Sequence, residues 1–297
     1  METKIKVSEN RESRLLVNYS LDLGRDLGIS KFLVFAESIQ DQRYILQKKE
    51  TEKIVFLLPR KSKIKDEFYS ECSVIYLPDQ QLSRSEQFQL GLLIAVINNL
   101  VEHDETVLCL TGLVGSLRLD NLLITNLQRD NKWFQNHAYE TVPVDILRSR
   151  EFVRLLDISL KLAKQGREGK KIGTIFVLGD QKSFEKYMKP MILNPFYGHP
   201  LKKRNIHNSD LFETIREFAT LDGAFVVDNK GAIQNAGVYL SPPNNKQVKL
   251  LKGYGARHTV AALFSAATDS LTITISESSS QVTVFFKGGA ILQFNQD

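Results

Sequence analysis

The sequence predicts an α/β protein in two parts: a small parallel α/β domain over residues 1–145, then a domain over 146–297 built on a mixed β-sheet flanked by helices. Three observations carry this reading. Short apolar runs in the first half alternate with turn residues and helical patterns, the rhythm of a parallel sheet. From residue 222 onward the pattern turns to strands joined by hairpin signals. The 297 residues are also enough for about two domains, each with a core of its own.

The first-half strands are KFLVFAESI (31–39), KIVFLLP (53–59), CSVIYLP (72–78) and TVLCLTG (106–112). Between the last two, SEQFQLGLLIAVINNLV (85–101) is too long and too continuously apolar for a strand and reads as a crossover helix. Asp145 is positioned to cap a helix whose apolar residues Phe152, Leu155, Leu156, Leu160 and Ala163 recur at helical spacing until Gly166 stops it. The domain boundary is set just before that helix.

A buried strand follows from Ile172 to Leu178, then the proline-punctuated segment MKPMILNPFYGHP (188–200). The next helix has Asn208, Ser209 or Asp210 as its cap and Leu211, Phe212, Ile215, Phe218 and Ala219 on one face. The strands AFVV and AIQNAGVYL are linked through Asp228-Asn229-Lys230-Gly231, and QVTVFF and AILQF through Lys287-Gly288-Gly289. LTITISE is a further strand, and one helix interrupts the series around 257–267.

The net charge of +5 comes from acidic and basic residues interspersed along the chain, which suits a small anionic ligand and gives no argument for nucleic acid. Cys72 and Cys109 each lie within an apolar run and read as reduced core thiols. No stretch approaches the roughly 20 apolar residues needed to cross a bilayer, and METKIKVSENRESR lacks the apolar core of a signal peptide. These features predict no membrane association and a cytoplasmic location.

Two clusters carry the chemistry. Asp222-Gly223-Ala224 sets a carboxylate beside two residues with almost no side chain, where a bulky anion has access to the backbone. Taken alone it reads better as an aspartate in a turn. Gly255-Ala256-Arg257-His258-Thr259 opens a helix, whose first N–H groups favour phosphate. Arg257 and His258 in that first turn oppose the helix dipole and call for a compensating anion; a triphosphate meets that need. Arginine offers a planar fork of donors to phosphate oxygens, histidine a further donor or polarising group, and Thr259 a hydroxyl. Ser276 and Glu277, in the polar run after a strand, add a hydroxyl for phosphate and a second carboxylate. Asp222 and Glu277 together suit Mg²⁺ or Mn²⁺, which take oxygen ligands and share them with substrate phosphates.

In this order the segments ILNPFYGH (192–199), LDGAFVVDNKGAIQNAGVYL (221–240) and GYGARHTVAALFSAATDSLTITISES (253–278) resemble the diadenylate cyclase (DAC) domain, a nucleotidyltransferase that condenses two ATP into cyclic di-AMP. The resemblance covers roughly 148–294. The family's DGA is intact at Asp222, Gly223 and Ala224. Its RHR triplet stands here as Arg257, His258 and Thr259, and its Ser-Glu-Glu turn as Ser276, Glu277 and Ser278, two departures.

The resemblance implies in-line attack of one ATP's 3′-hydroxyl on the α-phosphate of another, with Asp222, Arg257 and His258 catalytic. It also implies that Gly223, Ala224, Tyr239, Leu240, Gly255, Ala256, Arg257, His258, Thr259 and Ser276 bind ATP and that Asp222 and Glu277 hold the metal. Tyr239 and Leu240 align with the segment that contacts adenine and read equally as strand packing. Two phosphodiester bonds in one product imply a homo-oligomer with DAC domains face to face. The upstream run VLCLTGLVGSLRLDNLLI resembles the pyruvate-kinase C-terminal-like α/β domain that precedes the cyclase in a soluble, archaeal-type branch.

Other features carry less. His103-Asp104-Glu105 are consecutive and cannot all face one ion, Gly112-Leu113-Val114-Gly115-Ser116 lacks the lysine and spacing of a phosphate loop, and Trp133 and His137 read as packing or surface residues. The alternative to an active cyclase is a sensor of the same fold that binds ATP or a cyclic dinucleotide without turnover, the departures at Thr259 and Ser278 being its signs.

Overall fold

The computed structural model describes residues 2–38, 43–46, 53–59, 72–77, 83–102, 104–113, 116–130, 144–243, 248 and 254–294. His103, Trp133, His137 and Gly253 lie outside the described residues. The chain divides into two compact units, Met1–Gln135 and Asn136–Asp297.

The N-terminal unit runs α1 (Glu2–Asp26), β1 (Lys31–Phe35), a helical turn α2 (Arg43–Leu46), β2 (Ile54–Pro59), β3 (Ser73–Leu77), α3 (Arg84–Ile97), β4 (Thr106–Thr111), β5 (Asn121–Asn126) and α4 (Leu127–Asp130). Its sheet has the order β3-β2-β1-β4-β5. Four strands are parallel, as their apolar runs predict, and β5 closes the edge antiparallel to β4. Alternation sorts the strands: Phe32, Val34, Ile54, Phe56, Leu108 and Leu110 share one core with Val17 and Leu21 of α1. On the other face α3 sets Gly91 against Leu57. A capping box starts α3, with Ser83 accepting from the Glu86 N–H and Glu86 accepting from the Ser83 N–H.

Helix α1 has no clear apolar stripe in the sequence because its buried face includes Ser13 and Ser20. Both hydroxyls are used: Ser20 donates to the Leu16 carbonyl and Ser13 accepts from the Leu119 N–H. Cys72 and Cys109 are not in a disulfide, and burial pushes the Cys109 thiol up to about 12.

The C-terminal unit comprises α5 (Val144–Arg148), α6 (Arg150–Gln165), β6 (Thr174–Leu178), α7 (Gln181–Phe184), β7 (Met188–Pro190), α8 (Leu211–Phe218), β8 (Ala224–Val227), β9 (Ile233–Leu240), α9 (Ala256–Ala267), β10 (Leu271–Ile275), β11 (Val282–Phe286) and β12 (Gly289–Phe294). The cap of α6 is Ser149, which accepts from the Phe152 N–H; Asp145 instead lies inside the short α5. Gly166 ends α6 with φ of 55°, as its place after the apolar stripe predicts.

The sheet order is β12-β11-β10-β6-β8-β9-β7. Only β6 and β8 are parallel, so the sheet is mixed; both predicted hairpins, β8–β9 and β11–β12, are present. One face of the sheet buries Ile175, Val177, Ala224, Val226, Val238 and Phe285 against Ala261, Ala262 and Phe264 of α9. The alternate residues Phe176 and Phe225 stack at 5.0 Å on the other face, where Phe225 meets Phe196 and Phe196 meets Phe218 of α8.

Phe176 is fully buried in this layer. Phe176→Ala is expected to cost about 3–5 kcal/mol by lost burial and the cavity left behind. A urea titration following the C-terminal unit's transition checks this; a loss under about 1 kcal/mol contradicts the packing described.

Candidate active site

The sheet topology places the site. β6 sits between β8 and β10, parallel to the first and antiparallel to the second, with Ile175 opposite Ala224 and Thr174 opposite Ile275. The residues just before β6, just before β8 and just after β10 therefore leave the sheet at one edge. They are Gly173, Asp222-Gly223 and Ser276-Glu277. Helix α9 begins over the same edge with Gly255 as its cap, a residue that supplies no side-chain hydrogen bond to the first-turn N–H groups.

Arg257 ties these pieces together. Its Nη2 donates to Asp222 Oδ1 and its Nη1 to Glu277 Oε2, each at 3.0 Å. The cation that opposes the α9 dipole thus has its compensating anions within the protein. Two glycines make the approach possible. A Cβ at residue 173 would lie 2.7 Å from the Glu277 Cβ and 2.8 Å from Arg257 Nη1. Gly223 adopts φ of 110°, and a Cβ there would lie 2.7 Å from the backbone of Gly237 and Val238.

These elements surround a cleft of about 1140 Å³. Its walls include Asp222, Gly223, Ala224, Tyr239, Leu240, Gly255, Ala256, Arg257, His258, Ser276 and Glu277. Every residue the sequence nominated is brought to it except Thr259, whose hydroxyl donates back to the Gly255 carbonyl at 3.2 Å. Tyr239 is exposed and Leu240 buried, as alternation along β9 requires. The walls also hold Met191, Tyr254, Ser279, Gln281 and Gln293, which the sequence reading left out. Tyr254 had a signal in its place between two glycines. Gly173 had none, because its role is to be empty beneath residues distant in sequence.

His258 lies in the wall of the cleft with its ring buried. The imidazole stacks on Tyr254 at a centroid distance of 4.7 Å, and Nε2 is 3.3 Å from Thr283 Oγ1. Burial holds its pKa below the ordinary 6.5, and burial raises the Tyr254 phenol. The site therefore favours a neutral imidazole.

Among the described residues no group of three or more His, Cys, Asp or Glu is placed to hold a metal ion. Asp222 and Glu277 supply carboxylate oxygens joined to one guanidinium, with side chains 80% and 62% exposed. Two exposed carboxylates, with phosphate and water filling the remaining positions, fit a hard divalent cation such as Mg²⁺.

Two family models and two curated relatives match the chain. Residues 161–290 match the family model DAC, described as "DisA bacterial checkpoint controller nucleotide-binding". That match falls within the C-terminal unit. Residues 23–134 match the model "Probable sensor domain DacZ_P", in place of the pyruvate-kinase-like match expected. The chain is 26% identical over 303 residues to the diadenylate cyclase of Methanocaldococcus jannaschii, across 95% of this chain and 96% of the relative. To the diadenylate cyclase of Haloferax volcanii it is 26% identical over 227 residues, across 75% and 80%. Among solved structures, DacA from Staphylococcus aureus, a double mutant, aligns with 46% of this chain and 81% of its own at 21% identity and a TM-score of 0.29. No helix of the described residues is long and apolar enough to cross a membrane.

A histidine whose folded pKa is depressed contributes stability that is present above the unfolded value and drains away as pH falls through the folded value. The His258 ring should therefore titrate by NMR with a midpoint below 6.5. Melting temperature should fall more steeply below pH 6.5 in wild type than in His258→Gln; a midpoint above 6.5 contradicts the buried neutral ring.

A methyl group at residue 223 meets both a disfavoured φ and a backbone contact, so Gly223→Ala is expected to destabilise the C-terminal unit by about 1–3 kcal/mol. Thermal unfolding measures it, and a wild-type melting temperature rules out the constraint.

Proposed function

We propose that the protein is a diadenylate cyclase, converting two ATP into cyclic di-AMP and two pyrophosphate. The observation that carries the reading is the Asp222–Arg257–Glu277 constellation at the uncapped start of α9, inside a cleft large enough for a nucleotide. The DAC match and the two archaeal relatives support the choice of reaction. Adenine as the base rests on those likenesses.

In this reading each domain holds one ATP, with the triphosphate against the first-turn N–H groups of α9 and the Ser276 hydroxyl. Arg257 binds phosphate oxygens through its fork of donors, and His258, held by Tyr254 and Thr283, offers a ring donor from a fixed position. Tyr239 and Leu240 flank the base. Asp222 orients and deprotonates the 3′-hydroxyl that attacks the α-phosphate of the ATP on the facing domain, and pyrophosphate leaves in line. Asp222 and Glu277 would hold Mg²⁺ or Mn²⁺, which supplies charge neutralisation for the phosphates. Thr259, turned back on Gly255, takes no part at this cleft.

Because one cleft accommodates one nucleotide, closing a product with two phosphodiester bonds needs two domains face to face in a homo-oligomer. The N-terminal unit is read as a sensor domain acting on this reaction, and its run VLCLTGLVGSLRLDNLLI resembles the pyruvate-kinase C-terminal-like α/β domain.

Incubation with ATP and Mg²⁺ or Mn²⁺, followed by mass spectrometry, should yield cyclic di-AMP. Asp222→Asn should lower the rate about 10²- to 10⁴-fold, the usual contribution of a general base. Wild-type protein that binds ATP and makes no product with either metal would be the sensor of the same fold instead.

A further inference from the structure

Arg257 is asked to do two things that exclude each other. Its guanidinium is shared between Asp222 Oδ1 and Glu277 Oε2, and it is also the only lysine or arginine among the described residues lining the cleft. The three side chains together carry a formal charge of −1, and His258, biased to its neutral form, adds nothing. A triphosphate entering this arrangement meets two carboxylates and a cation already committed to them.

The commitment is built into the fold. The absence of a Cβ at residue 173 is what lets Arg257 Nη1 and Glu277 close over the start of β6. The planar fork of arginine reaches two carboxylates at once, which a lysine ammonium, a single point charge, does not reproduce.

We propose that Arg257 is the resident counter-cation of the Asp222–Glu277 pair in the nucleotide-free protein, and that a divalent metal ion takes its place there, releasing the guanidinium to phosphate. The inference rests on the nucleotidyl-transfer reading of the same cleft. It assigns this arginine a role in metal binding that a simple phosphate contact would not have. Metal and nucleotide are then coupled through one side chain. Phosphate that draws Arg257 away opens the carboxylates to metal, and metal on the carboxylates frees Arg257 for phosphate; the coupling is the same in both directions. It adds to the chelation of metal by the nucleotide itself.

The test uses the full chain and Mn²⁺ alone, with no nucleotide, and follows free Mn²⁺ by electron paramagnetic resonance. Removing the counter-cation should tighten binding: Arg257→Gln is expected to bind Mn²⁺ at least about fivefold more tightly than wild type, the low end of common coupling factors. Adding Glu277→Gln to that variant should abolish the gain. Arg257→Lys keeps every charge but replaces the fork with a single point charge that does not hold both carboxylates, and it should move the affinity in the same direction by a smaller factor. It also serves if Arg257→Gln does not fold by circular dichroism.

Folded Arg257→Gln or Arg257→Lys protein that binds Mn²⁺ no more tightly than wild type overturns the proposal, since a purely structural arginine predicts unchanged or weaker binding. The two readings fail separately. Tighter Mn²⁺ binding in Arg257→Gln, with wild-type protein that never forms cyclic di-AMP, leaves the exchange standing and removes the reaction. Cyclic di-AMP from the wild type with no change in Mn²⁺ affinity does the reverse.

Discussion

The C-terminal unit is organised around one guanidinium held between two carboxylates. Asp222, Arg257 and Glu277 come from three places in the chain and meet because β6 is the strand shared by β8 and β10. A parallel neighbour delivers Asp222 at its beginning, an antiparallel neighbour delivers Glu277 at its end, and both fall at the edge where β6 starts. Helix α9 lays its first turn over that edge. Gly173, Gly223 and the bare cap Gly255 then follow as steric requirements: the arginine crosses the first, the β8–β9 backbone crowds the second, and the third leaves N–H groups open to a ligand. The apolar layer on either side of the sheet fixes the strand order, and the strand order fixes the triad.

The carboxylates of this triad are exposed, so each pair is individually weak and screened by salt. That weakness suits a site whose charges must rearrange. A buried Arg–carboxylate pair resists removal of either partner because it leaves an uncompensated charge behind. An exposed pair can exchange partners at little cost. His258 differs in kind: its buried ring, clamped between Tyr254 and Thr283, is a fixed part of the wall. The cleft thus combines one side chain free to change partners with one that is held.

Much of the fold was legible in sequence because apolar runs and turn residues report directly on strands and hairpins. β1 to β4, the crossover helix α3, and the β8–β9 and β11–β12 hairpins all follow from that signal. Helix α1, the strands β5 and β7 and the short helices α2, α4, α5 and α7 did not. Helix α1 buries serines that bond to backbone groups, so its apolar face is diluted. β5 and β7 are edge strands, and a strand buried on fewer sides needs less of the apolar signature by which strands are found. The start of α6 moved to Ser149 because a hydroxyl three residues before Phe152 meets the first free N–H, whereas Asp145 lies within a helical turn of its own. Asp222, Arg257 and Glu277 were legible as chemistry, since carboxylates and an arginine beside glycines have few uses. Their mutual bonding was not legible, because it depends on which strand lies between them.

Thr259 shows how a helix decides which substitutions bear on a site. Residues 257 and 259 are two positions apart, about 200° around a helix of 3.6 residues per turn. With the Arg257 side chain turned to the cleft, residue 259 is carried to the opposite side of α9. Its hydroxyl closes on the Gly255 carbonyl, within its own helix. A cation at this position would project away from the cleft that Arg257 serves, so threonine there removes nothing from that cleft. The departure from an RHR triplet therefore gives little support to a domain that binds nucleotide without turning it over. What position 259 can affect is whatever faces the far side of α9.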